Sequence, residues 1–307
     1  MSKPETVAPV PASVPRLIGV VNITEDSFSD GSRYLAPADA LTHARQLGAD
    51  GADIIELGPA ASHPGATPVT AAEQQRRLFP VLDQLAADGI PVSVDTLNPQ
   101  VQLFAVARGA AYLNDIQGFP HAGFYPALAA SGCRLIVMHS VQPAGPATKV
   151  VTDPAGIWAS IEEFFTERLA ALQAGGIGRD RLIIDPGLGY FLGSNPEPSL
   201  AVLARIRQLK ETFGIPVVVS PSRKSFLRAV TGQDIAHVAA ASLAAEIFAA
   251  WQGADYIRTH DVAAIRDALT VLDALTRHTE RGRNAGTQEP TDAQLPPSSS
   301  QAKQCRA

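Results

Sequence analysis

The 307-residue chain contains only two cysteines, Cys133 and Cys305. This scarcity excludes a disulfide framework and a metal site built from thiolates. The sequence also lacks an apolar run of about 18 residues, the length that a membrane-spanning helix needs, and an apolar signal segment at its amino terminus. With a net charge of −5 and no basic stripe, a nucleic-acid partner is not expected. The composition, 46% hydrophobic and 18% charged, is typical of an ordinary soluble enzyme. Because a signal segment and a membrane span are both lacking, we expect a cytoplasmic location.

Short apolar segments recur along the chain, separated by helical patterns. The clearest is Leu182–Ile184, three branched residues that lead into Asp185 and are stopped by Pro186-Gly187. Such an unbroken run is typical of a strand buried on both faces, as in a parallel sheet. The other seven segments cover residues 17–21, 53–57, 92–94, 111–113, 135–138, 217–219 and 256–257. Eight alternating units predict an α/β fold, a single (β/α)8 TIM barrel with its active site at the carboxyl ends of the strands.

The predicted barrel domain comprises residues 16–278. Residues 1–15 are proline-rich and residues 279–307 are polar, so we expect a disordered leader and a disordered tail. Within the barrel, Pro80 is expected to kink or restart the second helix. Residues 200–213 are expected to form one helix, and the seventh helix is expected to turn Phe248 and Trp251 inward.

Three polar residues each lie one position beyond an apolar segment. Asp95, Asn114 and Asp185, here called the acceptor wall, should therefore meet at one mouth of the barrel. Each could act as a general base, a metal ligand or an acceptor for the N–H groups of a heterocycle. The simpler alternative for any one of them is that it caps a helix or begins a turn.

Positive side chains follow the last two strands. Lys224 is either a Schiff-base nucleophile, as in barrel aldolases, or a donor to a bound carbonyl or anion. Arg258 and His260 follow the eighth strand, and in many barrels the loops after strands seven and eight bind phosphate. The local charges of Arg223 and Arg228 also suit a small anionic ligand. The residues thus predict a barrel enzyme with an acceptor wall, a lysine and a phosphate site.

Five motifs, in this order, resemble those of dihydropteroate synthases across residues 16–277. They are the segment from Asn22 to Gly31, Asn114-Asp115-Ile116, Asp185-Pro186-Gly187, Ser222-Arg223-Lys224-Ser225 and Arg258-Thr259-His260. The resemblance implies the condensation of 6-hydroxymethyl-7,8-dihydropterin diphosphate with 4-aminobenzoate, which gives 7,8-dihydropteroate and diphosphate through a pterin methylene cation. It also implies Mg²⁺ as cofactor, small-molecule substrates as partners and a homodimer.

The resemblance also implies a role for individual residues. Catalytic roles fall to Asp30, Lys224 and Arg258. The pterin would be bound by Asp95, Asn114, Ile116, Met138, Asp185 and Lys224. The diphosphate would be bound by Asn22, Arg258 and His260, with Asn22 also binding the metal. The 4-aminobenzoate would be bound by Phe28, Ser62, Pro64, Tyr190, Phe191 and Ser222.

Two segments depart from the usual family pattern. The second loop reads Gly58-Pro59-Ala60-Ala61-Ser62-His63-Pro64-Gly65, in place of a Gly-Glu-Ser-Thr-Arg-Pro-Gly run. The sixth loop lacks the usual Phe-Gly-Lys after Asp185-Pro186-Gly187. In these departures the chain resembles the mobile, sulfonamide-resistant dihydropteroate synthases. The resemblance therefore implies weak inhibition by sulfonamides, with Phe191 and Leu192 as candidate steric blocks.

Three other functions are compatible with parts of this pattern. A pterin-binding methyltransferase would share the acceptor wall, but it would have no use for a diphosphate site or for the segment from Asn22 to Asp30. A Schiff-base aldolase would use Lys224 as its nucleophile. A pterin-binding protein without catalytic activity would bind the heterocycle without turnover.

Overall fold

The computed structural model describes residues 14–24 and 36–286, with side chains described as far as residue 278. Eight parallel strands form one sheet, which confirms the predicted barrel. They are β1 (Arg16–Asn22), β2 (Ile54–Gly58), β3 (Val92–Asp95), β4 (Tyr112–Asp115), β5 (Arg134–Met138), β6 (Leu182–Asp185), β7 (Val218–Val219) and β8 (Tyr256–Thr259). Phe28 and Asp30 lie outside the described residues.

The strands follow the order β6-β5-β4-β3-β2-β1-β8-β7. The remaining gap, between β6 and β7, is bridged by the parallel pair Ile184 and Val217. There the Ile184 N–H donates to the carbonyl oxygen of Pro216 at 2.9 Å. Because this bridge brings the two ends of the sheet together, all eight strand ends face a common mouth.

The interior of the barrel is filled in layers. The lower layer is apolar and consists of Ile18, Ile54, Tyr112, Ile136, Ile183, Val218 and Tyr256. Side chains two positions apart on a strand point to the same face. The layer above therefore contains Glu56, Asn114, Asp185 and Arg258, two residues beyond members of the apolar layer. The apolar layer thus supports a polar layer at the mouth.

Helices alternate with the strands along the chain. They are α1 (Pro37–Ala49), α2 (Ala71–Ala87), α3 (Pro99–Ala107), α4 (Tyr125–Ala130), α5 (Pro154–Ala174), α6 (Glu197–Leu203), α7 (Ile206–Phe213), α8 (Ser225–Thr231), α9 (Ala239–Trp251) and α10 (Val262–Gly286). Two of these helices begin at a capping side chain followed by proline. The Asn98 side chain accepts from the N–H of Gln100 at 3.0 Å, and Asp153 accepts from the N–H of Ala155 at 3.0 Å. Within the described parts of the chain, no helix is both long and apolar enough to cross a membrane.

Several helix predictions need correction. The helix α2 does not restart at Pro80, which lies inside it, because Leu78 and Val81 on either side are fully buried and hold both halves in place. A kink at Pro80 stays a prediction. The sixth helix is divided at residues 204–205 into α6 and α7. The short helix α8 was not predicted.

The last two helices also differ from the predictions. On α9 the residues Phe248 and Trp251 are 39% and 44% exposed, because small residues such as Ala245 and Ala249 form the face that packs inward. The barrel unit ends at Leu269, and the described part of a second unit is the segment from Thr270 to Gly286. The backbone of residues 279–286 is helical, where an irregular tail was expected.

Candidate active site

A cavity of about 420 Å³ opens at the carboxyl ends of the strands. Its size suits a small-molecule substrate. It is lined by most of the residues predicted to bind substrates or metal, namely Asn22, Ser62, Pro64, Asp95, Asn114, Ile116, Met138, Tyr190, Phe191, Ser222, Lys224, Arg258 and His260. Asp185 is 2% exposed and does not line the cavity directly, because it lies against Arg258.

Arg258 is held between two buried carboxylates. Its Nη1 donates to Oδ2 of Asp185 at 2.9 Å, and its Nη2 donates to Oε2 of Glu56 at 3.2 Å. Its Nε also lies 2.7 Å from Oε1 of Glu56, an ion-pair contact without hydrogen-bond geometry. Ser93 donates a further hydrogen bond to Glu56 at 3.0 Å. Removing one partner from a buried ion pair is costly, so these contacts are expected to persist. They fix the direction of the Arg258 guanidinium before any ligand binds.

The acceptor wall has an unused acceptor. Asn114 donates from Nδ2 to Oδ1 of Asp95 at 2.9 Å, which directs its Oδ1 away from this bond. That Oδ1 is buried and has no hydrogen-bond partner. Because a buried polar atom without a partner costs about 1 to 3 kcal/mol, a ligand N–H at this point would be favoured.

The charge of Asp95 depends on the same group of residues. Burial raises the pKa of the Asp95 carboxyl to about 7, and repulsion from Glu56 adds to this shift. Arg258 and Lys224 oppose it. Asp95 can therefore be ionised or protonated near neutral pH, depending on what binds beside it.

Lys224 lies between the acceptor wall and an aromatic ring. Its Nζ is 5.1 Å from the ring centroid of Phe191. Burial lowers the pKa of the Lys224 ammonium, and the nearby carboxylates, Asp185 foremost, oppose the shift. This ammonium can therefore interact with a ligand carbonyl or ring nitrogen on one side and the Phe191 face on the other.

His260 and Ser222 form a pair in the lining of the cavity. Nδ1 of His260 is 3.0 Å from the Ser222 hydroxyl, and Ser222 is 4% exposed. Ser222 was predicted on the 4-aminobenzoate side, but its hydroxyl is engaged with His260. The contact fixes the position of the imidazole in the cavity lining.

An apolar cluster forms the opposite side of the cavity. It comprises Ile116, Met138, Ala147 and Phe191, with Leu97 and Tyr190 packed against it. The two candidate steric blocks separate here. Phe191 lines the cavity, whereas Leu192 is fully buried among the residues between barrel and helices and does not reach it. The part of the steric prediction that rests on Leu192 is wrong, because neighbouring residues in this turn point in different directions.

The loop between β5 and α5, residues 139–153, braces this apolar side. Nε2 of Gln142 donates to the Tyr190 carbonyl oxygen at 3.1 Å, and the Val141 N–H donates to that of Phe191 at 2.9 Å. The Ala147 N–H donates to the Ser62 carbonyl oxygen at 2.9 Å. These bonds connect the second and sixth loops, which are the two that depart from the family pattern.

No group of three or more histidine, cysteine, aspartate or glutamate residues within the described chain could hold a metal ion. Mg²⁺ commonly uses only one or two protein oxygens, together with water and substrate phosphates. Asn22 lines the cavity and offers one amide oxygen. The residues present therefore fit a metal ion that binds together with an anionic substrate.

Sequence reasoning missed two charged residues of this cavity, Glu56 and Lys149. A signal for Glu56 was present, since it lies two positions after Ile54 in a buried strand and so shares its inward direction. Lys149 carries no comparable signal, because a loop brings it to the mouth. Arg223 and Arg228, whose charges were predicted to suit a small anionic ligand, also line the cavity.

The barrel and its site define a class of enzyme that binds an N–H-rich heterocycle beside an anion-binding cluster. Comparison with known proteins specifies it further. Residues 18–260 match the family model described as "Pterin binding enzyme". Over 259 residues the chain is 56% identical to dihydropteroate synthase type-2 of Escherichia coli, covering 84% of this chain and 95% of that protein.

Solved structures give the same result. The dihydropteroate synthase of Xanthomonas albilineans with 4-aminobenzoic acid has a TM-score of 0.77 and 38% identity, covering 85% of this chain and 93% of that one. The Yersinia pestis dihydropteroate synthase in a sulfonamide drug complex has a TM-score of 0.78 and 31% identity, covering 85% and 94%. This chain belongs to the dihydropteroate synthase family.

Proposed function

We propose that this protein condenses 6-hydroxymethyl-7,8-dihydropterin diphosphate with 4-aminobenzoate to form 7,8-dihydropteroate and diphosphate. The observation that carries this proposal is the buried, unpartnered Oδ1 of Asn114 beside Asp95. A reduced pterin presents amino and ring N–H donors on one edge, which match these two acceptors. The apolar faces of Ile116 and Met138 suit the flat ring.

In this proposal Arg258 stabilises the diphosphate leaving group. Glu56 and Asp185 hold its guanidinium in place, so it costs little to orient when negative charge develops on the leaving group. His260, oriented by Ser222, adds a donor. Bound by Asn22 and the diphosphate oxygens, Mg²⁺ would supply further positive charge.

Carbon–nitrogen bond formation follows loss of the diphosphate. The bond between the pterin methylene carbon and the diphosphate oxygen breaks, and both electrons leave with the oxygen. The amine nitrogen of 4-aminobenzoate then donates its lone pair to the methylene cation and afterwards loses a proton. The apolar side that includes Phe191 limits access of water, which competes with the amine. Roles for Phe28 at the aminobenzoate and for Asp30 at the cation stay predictions.

Weak inhibition by sulfonamides is part of the same proposal. Phe191 lines the apolar side, and its backbone is held by the Val141 N–H. A packed aromatic ring yields little, so it can exclude a tetrahedral sulfonyl group while admitting a flat carboxylate.

The quaternary structure and location complete the proposal. The exposed Phe248 and Trp251 on α9 support a homodimer, and sedimentation velocity of Trp251→Glu against the unchanged protein tests it. The cytoplasmic location predicted from the sequence stays a prediction.

One assay tests the proposed reaction. Purified protein is incubated with pterin diphosphate, 4-aminobenzoate and Mg²⁺, and dihydropteroate and diphosphate are measured. We expect equal amounts of both products. Borohydride trapping of a substrate on Lys224 would instead identify an aldolase, and methyl transfer from a methylfolate would identify a methyltransferase. Pterin binding without either product would leave only a binding protein.

A further inference from the structure

Arg228 is a charged residue of the cavity to which the proposed reaction assigns no role. It lies in α8, four residues after Lys224, and lines the cavity together with Ser225 and Ile235. Its Nε is buried and has no hydrogen-bond partner. Its backbone carbonyl accepts from the N–H of Gly232, so only the side chain is left without a partner. A buried guanidinium nitrogen of this kind calls for an acceptor that a ligand can supply.

Two other cations of the cavity are already engaged. Arg258 is paired with Glu56 and Asp185. Lys224 contacts the face of Phe191 and is influenced by the carboxylates of the acceptor wall. Arg228 has no ion-pair partner among the described residues, so its charge is available to an anionic ligand.

The position of α8 shows which end of the cavity Arg228 serves. Gly189 comes so close to the start of α8 that a Cβ atom added to it would lie 3.0 Å from Ser225 Oγ and 3.4 Å from Lys224 Cβ. The turn Gly189–Phe191 therefore packs on α8. Arg228 lies one turn after the N-cap residue Lys224 and lines the same cavity as Tyr190 and Phe191 of this turn. The end of the cavity at this turn is the one that the proposed function assigns to the second substrate.

The geometry points to Arg228 as the residue that binds the carboxylate of 4-aminobenzoate and so sets the preference for an anionic aniline. This inference rests on the proposed function. A guanidinium donates two parallel N–H bonds to the coplanar oxygens of a carboxylate. A tetrahedral sulfonyl group cannot offer two oxygens in the same plane as its ring, so Arg228 would add to the discrimination due to Phe191.

The test compares an anionic with a neutral aniline in Arg228→Gln. With 4-aminobenzoate we expect KM to rise roughly 10- to 100-fold with little change in kcat, the effect of losing a charge-assisted hydrogen bond. With 4-aminobenzamide, which has no charge, we expect KM to change less than about threefold. Arg228→Lys should recover part of the lost affinity, because it keeps the charge without the fork.

Arg205→Gln is the matched control, because Arg205 is an exposed arginine between α6 and α7 and does not line the cavity. It should leave both KM values unchanged. A KM rise confined to Arg205→Gln would overturn the inference, and so would equal rises for the two anilines in Arg228→Gln. Thermal melting of each variant separates misfolding from loss of binding.

The proposed function and this inference can fail separately. Absence of dihydropteroate with the unchanged protein would remove the proposed reaction. Calorimetric titration of 4-aminobenzoate into the unchanged protein and Arg228→Gln then still tests the inference. Equal affinities would overturn it, and a loss of affinity confined to Arg228→Gln would support it.

Discussion

The two sides of the cavity are built differently. The side assigned to the pterin consists of strand residues, Asp95 and Asn114, behind which Glu56, Asp185 and Arg258 form a buried charged group. The side assigned to 4-aminobenzoate consists of loop and short-helix residues. Their positions depend on hydrogen bonds between loops, such as the bond from Gln142 to the Tyr190 carbonyl oxygen.

This difference bears on which side of the cavity tolerates substitution. A change in the charged group would leave a buried charge unpaired, which is costly wherever it occurs. A change in a loop costs much less, because the barrel does not depend on it. Loop residues such as Ser62 and Phe191 could therefore be changed while the acceptor wall is kept.

The largest expected effect tests whether the charged group is as interdependent as its contacts indicate. Arg258→Ala leaves Glu56 and Asp185 buried without their cation, and we expect the free energy of unfolding to fall by about 3 to 5 kcal/mol. Binding of pterin should weaken along with use of the diphosphate. His260→Ala loses a contact with Ser222, so the free energy of unfolding should fall by about 1 kcal/mol. This variant should weaken use of the diphosphate substrate without weakening binding of the pterin. Urea denaturation and calorimetry with a pterin lacking diphosphate distinguish the two.

Removal of one carboxylate from the same group should have a smaller effect on the fold. In Asp185→Ala the guanidinium of Arg258 keeps Glu56 as partner, but it loses the bond that directs Nη1. We expect pterin affinity to fall by about 2 to 3 kcal/mol, as for a lost hydrogen bond to a charged group. Calorimetry measures this, with the exposed Asp180→Ala as control. Unchanged affinity in Asp185→Ala would contradict the role of the charged group in binding.

On the loop-built side, substitution of two adjacent residues should change different properties, sulfonamide inhibition for one and stability for the other. Phe191→Ala should increase sulfonamide inhibition about tenfold or more, because it removes the ring that lines the cavity. Leu192→Ala should lower the free energy of unfolding by about 2 to 5 kcal/mol and leave the inhibition constant unchanged, because Leu192 belongs to the core. The inhibition constant of sulfamethoxazole, compared with KM for 4-aminobenzoate, is the measurement. Equal inhibition of all three proteins would remove Phe191 from the explanation.

The smallest expected effect is a pH dependence confined to the strand-built side. Asp95 faces Glu56, Arg258, Lys224 and Asp115, and burial raises its pKa to about 7. A raised pKa means that the ligand-free protein loses stability as pH rises through 7, because the buried carboxyl must ionise. Pterin N–H donors favour the carboxylate, so affinity should rise about tenfold between pH 6 and pH 8.

The matched variant for this pH dependence is Asp95→Asn. It cannot ionise, so neither the melting temperature nor the pterin affinity should show the change near pH 7 that is expected of the unchanged protein. Thermal melting and calorimetry across this range measure both. The same pH dependence in the variant would assign it to another group.

The amino-acid sequence by itself determined the barrel and its mouth. Unbroken apolar runs that end in polar residues define buried parallel strands, and alternation of side chains along a strand fixes which residues face inward. Asp95, Asn114 and Arg258 can therefore be placed in one cavity from the order of residues alone. Glu56 follows in the same way, from its spacing to Ile54.

Tertiary structure alone decided the contacts across the mouth. Three features depend on how separate loops pack. They are the contact of Ser222 with His260, the burial of Leu192 beside the cavity-lining Phe191, and the unpartnered Nε of Arg228. No periodicity relates residues in different loops, whose directions are set by hydrogen bonds between distant segments. The strand-built side thus follows from local sequence, while the loop-built side follows from the packing of the whole barrel.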